Sequence, residues 1–137
     1  MVKVIMGLNG AGKTKSIIDL VTKAANDESG SVVCIEKNAE LMFDVPHSIR
    51  LIKTSDYEFS GGYGFLQGFI SGLHAGNYDI SHIFIDSLMK IAGDPSDSKL
   101  ETFLDWCEKF SNVEGVKFTI SVNSSAELAS PGIRKYL

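Results

Sequence analysis

The sequence is poor in several residue types at once. It has two cysteines, Cys34 and Cys107. Their spacing fits no metal-binding pattern, and two residues make no disulfide framework. Both lie in apolar runs, where a reduced thiol behaves as a small buried hydrophobe. It has two arginines, Arg50 and Arg134, and its lysines are scattered along the chain. With a formal net charge of −4 there is no basic stripe, so nucleic acid is not an expected partner. No apolar run approaches the ~20 residues that cross a bilayer. Only Met1 to Met6 precede the first glycine, which leaves no room there for a secretory leader. The expectation is a cytoplasmic protein without a membrane span. His47, His74 and His82 have no metal-ligand spacing, and no role is assigned to them.

What remains is a chain of 137 residues, 44% hydrophobic and 22% charged, without internal repeats or a Pro/Ser-rich linker. That composition suits one domain, 1–137, with its own core. β-rich runs alternate with helical patterns. Val2 to Met6, Ser31 to Ile35, Ile49 to Ile52, Ile80 to Ile85 and Val116 to Val122 read as strands. Helical spacing runs from Lys13 to about Ala25, over Phe65, Leu66, Phe69, Ile70 and Leu73, and over Leu100, Phe103, Leu104, Cys107 and Phe110. Trp106 and the phenylalanines near it fit the same apolar stripe. Ser98-Lys99-Leu100-Glu101 reads as the capping box of that last helix. Ser124 to Glu127 reads as a further cap, and Pro131-Gly132 as the start of a tail. Alternation of this kind predicts an α/β fold, with a mainly parallel central sheet and helices on both faces. In such sheets ligands bind beyond the carboxyl ends of the strands. Gly7, Glu36, Asp86 and Asn123 each follow a predicted strand, so they are expected to meet at one edge.

The run Gly7-Leu8-Asn9-Gly10-Ala11-Gly12-Lys13-Thr14 satisfies G-x-x-x-x-G-K-[ST] at every position. It also lies between a predicted strand and a predicted helix, as the motif requires. Phosphate oxygens need many short-range donors, and consecutive backbone N–H groups in a curled loop supply them. Glycine permits the close approach and the dihedrals involved. The following helix aims its N-terminus at the anion. Gly7, Asn9, Gly10, Ala11, Gly12, Lys13, Thr14 and Lys15 are the expected phosphate contacts. Lys13 is expected to reach the terminal phosphates, and the Thr14 hydroxyl to hold Mg²⁺. Gly10-Ala11-Gly12 has Lys15 where a dinucleotide fingerprint would have its third glycine, so that reading fails.

These residues resemble the P-loop NTPase superfamily, most closely from Val2 to Ala25. The resemblance implies a three-layer P-loop NTPase fold, with Mg²⁺ and ATP as ligands. His82-Ile83-Phe84-Ile85-Asp86 is similar to the strand whose terminal aspartate binds Mg²⁺ in that superfamily. Ser87 stands where many members place a glutamate that activates water. RecA-like members carry their catalytic glutamate at the end of the strand beside the aspartate strand, which makes Glu36 the candidate base. A solvated loop residue beside Lys37 is the other reading of Glu36. Asn123 is similar to the polar residue with which some ATPases sense the γ-phosphate. Arg50 and Arg134 are the only candidates for an arginine finger. Gly61-Gly62-Tyr63-Gly64, with Lys53 to Phe59 before it, reads as a glycine-rich connection, a lid or a partner surface.

Three functions are compatible with this pattern: a small RecA-like ATPase with slow hydrolysis, a nucleoside or other small-molecule kinase, and a non-catalytic nucleotide sensor that binds a partner. The second is loosely similar to thymidine kinases, but the chain lacks their zinc-binding cysteines and has no Asp-Glu pair at Asp86-Ser87. The whole-chain pattern is also similar to small bacterial P-loop proteins that carry a twitching-motility ATPase label, through Met6 to Lys15 and the ending Lys135 to Leu137. No Asn-Lys-x-Asp run for guanine is present, which favours ATP. A protein partner or a second copy of the chain stays open.

Overall fold

Short apolar runs rich in β-branched residues alternate with amphipathic helices, and the chain folds accordingly. The computed structural model describes residues 1–137 except Asn9, Ala11, Ala39, Met42, Phe43 and Ser60. The strands are β1 (Val2–Gly7), β2 (Ser31–Glu36), β3 (Arg50–Lys53), β4 (Ile80–Ile85) and β5 (Lys117–Asn123). They form one parallel sheet in the order β1-β5-β4-β2-β3. Val32 to Glu36 and His82 to Ile85 are buried without interruption. Continuous runs of this kind belong to strands covered on both faces.

The strand period of two divides the core. Val32, Cys34 and Phe84 face α1 (Lys13–Asp27), whose Ile17, Val21 and Ala24 cover them together with Leu41, Val45 and Ile49. Val33, Ile35, Ile83 and Ile85 face the other way, onto Leu66 and Ile70 of α2 (Gly62–Gly76) and Leu100, Phe103, Leu104 and Cys107 of α4 (Asp97–Glu114). The fold is therefore α/β, with helices on both faces of a parallel sheet. Cys34 and Cys107 are free and buried, and burial pushes both thiols well above their ordinary range. Trp106 packs against the second core as expected, stacked on Phe103.

Two sequence expectations are corrected, and one element is added. The cap of α4 is Ser96, whose hydroxyl accepts from the Lys99 amide at 3.4 Å; Ser98 already lies inside the helix. Asp94 draws the start of the helix two residues earlier, because its Oδ1 accepts from the Ser96 amide at 2.9 Å. Glu101 accepts from the Ser130 hydroxyl. The chain end is not a loose tail. Pro131 opens the short helix α5 (Pro131–Arg134), and Ile133 and Tyr136 are buried. The Tyr136 carbonyl accepts from the Val4 amide at 2.8 Å, which covers part of the β1 edge. Finally, a short helix α3 (Leu88–Ala92) directly follows β4, where no element is legible from periodicity.

Candidate functional site

Parallel register brings the predicted strand-end residues to one edge. Gly7 pairs with Asn123, Ile85 with Ile120, and Ile35 with Ile85. The carboxyl edge therefore presents Gly7, Asn123, Asp86 and Glu36 in that order across β1, β5, β4 and β2. Beyond it lies a cavity of about 500 Å³ lined by Gly10, Gly12, Lys13, Thr14, Glu40, Asp86, Ser87, Lys90 and Asn123. Six of these nine were expected from the sequence.

The glycine-rich loop supplies the first part of the lining. Gly10 and Gly12 both have φ +85°, which side chains rarely adopt, and a Cβ on either would meet nothing within 4 Å. Their need for glycine is conformational rather than steric. Gly12 caps α1 in the left-handed region, so the helix starts at Lys13 with its first amides directed toward the loop. Lys13 is buried at 8% exposure, and its Nζ donates to the Leu8 carbonyl at 3.1 Å. Thr14 is exposed to the cavity, which its hydroxyl can enter. Asn9 and Ala11 lie outside the described residues.

Asp86 supplies the carboxylate. It is 7% exposed, and its Oδ1 accepts from the Ser121 hydroxyl at 2.8 Å. The same Ser121 oxygen accepts from the Ser87 amide at 2.7 Å. Ser121 is itself fully buried on β5. Ser87 has φ 55°, the one positive φ outside glycine among the described residues. Such a conformation costs about 1 kcal/mol or more, and it survives only where surrounding bonds enforce it. Here it turns the chain sharply out of β4 into α3, and α3 carries Lys90 to the cavity. Thr14 and Asp86 thus offer a hydroxyl and a carboxylate oxygen to one space. Among the described residues no group of three or more His, Cys, Asp or Glu could hold a metal by itself. That donor set suits Mg²⁺, which takes one or two protein oxygens and completes its shell with phosphate and water.

Glu36 stands differently from its expected place. It ends β2 beside Asp86, but it is 2% exposed and does not line the cavity. Its Oε1 accepts from the Leu41 amide at 3.3 Å. Burial pushes its carboxyl up to about 7, and the Asp86 charge adds to the rise. Glu40, which sequence reasoning missed, is the exposed carboxylate at the cavity wall. Gly7 and Lys15 are near the loop in sequence without lining the cavity, and neither arginine lines it. The Arg134 guanidinium donates to the Ala129 carbonyl at 2.9 Å, and Arg50 to the Leu51 carbonyl at 3.2 Å. Lys90 and Ser121 were missed as well. An unrecognised five-residue helix hid the first, and nothing in a strand pattern singles out the second.

No helix among the described residues is long and apolar enough to cross a membrane. No family model matches the chain, and no curated protein matches it.

Proposed function

We propose that the chain is a P-loop NTPase-type protein that binds a Mg²⁺-nucleoside triphosphate, ATP in the first instance, at the carboxyl edge of its sheet. The observation that carries this reading is the convergence of Gly10, Gly12, Lys13, Thr14, Asp86 and Asn123, from three separated stretches of chain, on one cavity of about 500 Å³. Curled-loop amides and the N-terminus of α1 bind phosphate oxygens. The Lys13 ammonium, seated at the loop, exchanges its carbonyl contact for a terminal phosphate. Thr14 and the free oxygen of Asp86 hold the cation, which neutralises phosphate charge. Asn123 donates to or accepts from the outermost group. Strand order supports the RecA-like variant of the reading, because β2, which ends in Glu36, lies directly beside β4, which ends at Asp86.

A second reading, a nucleotide switch that binds without turning over, is favoured by two observations. Glu36 is tied to the Leu41 amide beneath the surface, and Ser87 holds the position after Asp86. Hydrolysis then depends on a carboxylate that reaches the γ-phosphate, and Glu40 is the one at the cavity wall. A phosphorus NMR time course of Mg-ATP with wild type and Lys13→Ala tests both. Shifted ATP lines with the wild type alone support binding, and released phosphate adds hydrolysis. Identical spectra for the two proteins, with ATP and then with GTP, overturn the proposal.

A further inference from the structure

A second cavity, of about 350 Å³, adjoins the first across Lys90, which lines both. Its other walls come from Lys37, which follows β2, from Thr54 and Ser55 between β3 and α2, from Tyr57 and Phe59, and from the chain that closes α3. Three features set its chemistry. Its lining holds two lysines and no carboxylate, in a protein of net charge −4. Neither Lys37 nor Lys90 forms an ion pair among the described residues, although six such pairs occur elsewhere. One wall is aromatic and braced: the Phe59 ring lies edge-on to Phe65 at 4.7 Å and to Phe69 at 5.6 Å.

From these features we infer that this cavity is a binding site for a second small ligand, an aromatic or other planar compound carrying a phosphate or carboxylate. Its anionic head lies between Lys37 and Lys90, and its ring against Tyr57 and Phe59. The volume is at the lower end of small-molecule pockets, so the class is a single ring with its anionic group. Unpaired ammonium groups in a recess free of carboxylates concentrate anions. The hydroxyls of Thr54, Ser55 and Tyr57 add donors that distinguish an oxyanion from a plain apolar guest. The site stands apart from the nucleotide reading in its residues, Lys90 excepted.

The test is a titration of the ¹⁵N-labelled full chain with phenyl phosphate, with benzyl alcohol as the uncharged control. Phenyl phosphate is expected to shift the amides of Gly62, Ala92 and Gly93, and benzyl alcohol at equal concentration to leave them in place. Lys37→Ala should weaken phenyl phosphate by about tenfold, the factor carried by one charge-assisted contact, with ATP affinity unchanged. Lys13→Ala should do the reverse. Shifts confined to Gly10, Gly12 and Thr14 that vanish in Lys13→Ala would place the probe in the phosphate loop and overturn the inference. So would equal response to the two probes, or no response at Gly62 and Gly93. If ATP fails to bind wild type while Gly62 and Gly93 respond to phenyl phosphate, the nucleotide reading falls and the second site stands.

Discussion

The two edges of the sheet make the instructive comparison. At the amino edge, the starts of β2 and β4 border a cavity of about 750 Å³, larger than the one at the carboxyl edge. Its lining includes Asp79 and Glu114 but no cation, and serines and glycines fill much of the rest. The carboxyl edge has Lys13, Lys90, Asp86 and Glu40 around one cavity, two glycines at φ +85° and a non-glycine residue forced to φ 55°, where the amino-edge cavity has only Gly115 at φ +69°. Size alone does not mark a site. Opposite charges brought together by strained backbone do, because strain persists only where its neighbours hold it in place.

The largest expected effect separates the edges by cation binding. Asp86→Ala should weaken Mn²⁺ binding to the ATP complex, followed by electron paramagnetic resonance, by about a hundredfold or more, since even residues behind a metal's own ligands are worth 10–100-fold. Asp79→Ala, an acidic residue at the other cavity, should leave it unchanged. Equal losses in both variants would erase the distinction between the edges.

Next in size is a pair of opposed titrations. Glu36, at the carboxyl edge, titrates near 7 in the fold against 4.5 for a free carboxyl. Its stability contribution is present below pH 4.5 and is lost as pH rises to 7, because the unfolded chain gives up the proton first. His82 lies toward the amino edge, stacked on Phe84 at 4.1 Å, with Nε2 against the Thr119 hydroxyl and Nδ1 without a partner among the described residues. Burial pulls it down to about 4 from 6.5. Its contribution is present above pH 6.5 and is lost as pH falls through 4. Each slope amounts to on the order of 3 kcal/mol over its full window, and between pH 4.5 and 6.5 they oppose. Urea unfolding of wild type should therefore vary little with pH there. Glu36→Gln should expose the His82 slope, with stability rising with pH, and His82→Gln the reverse. Parallel pH profiles for the two variants would refute the opposition.

The fold was legible because its signals are periodic and local. The runs from Val32 to Ile35 and Ile80 to Ile85 read as strands, and a motif that fixes Gly7, Gly12, Lys13 and Thr14 at set spacing locates the loop. Alternation then implied a parallel sheet, and parallel order implied that Gly7, Asn123, Asp86 and Glu36 share an edge. What stayed illegible depends on contacts distant in sequence. Ser121 acquires its role only because β5 lies beside β4, 35 residues from Asp86 in the chain. Whether Glu36 faces the cavity or the Leu41 amide is decided by the loop after β2, which carries no periodic signal. Ser98 had the better capping box by spacing, but the Asp94 carboxylate fixed the Ser96 amide instead.

Ser121 provides the next prediction. Ser121→Ala leaves the Asp86 carboxylate and the Ser87 amide each short of a partner in a buried setting. An unsatisfied buried group costs about 1–3 kcal/mol. The loss should appear in urea unfolding and be accompanied by weaker Mn²⁺ binding. Ser81→Ala is its counterpart toward the amino edge: among the described residues the buried Ser81 hydroxyl serves at most the Glu28 carboxylate, which Lys117 also holds at 2.7 Å, so stability should change by far less. Similar losses would mean that Ser121 is an ordinary packing residue.

The smallest effects use α4, which runs from one edge to the other. Its N-terminus at the carboxyl edge is capped by Ser96, and its C-terminus at the amino edge by Gly115 at φ +69°. Ser96→Ala removes one side-chain acceptor and should cost about 1 kcal/mol, within the usual range for N-caps. Gly115→Ala forces a side chain into the left-handed region and should also cost about 1 kcal/mol. No atom lies within 4 Å of the new Cβ, so the penalty is one of backbone conformation alone. Neither residue lines the carboxyl-edge cavity, and ATP affinity should match wild type in both. If Ser96→Ala weakened ATP binding where Gly115→Ala did not, the start of α4 would belong to the proposed nucleotide site, whose boundary would move outward to include it.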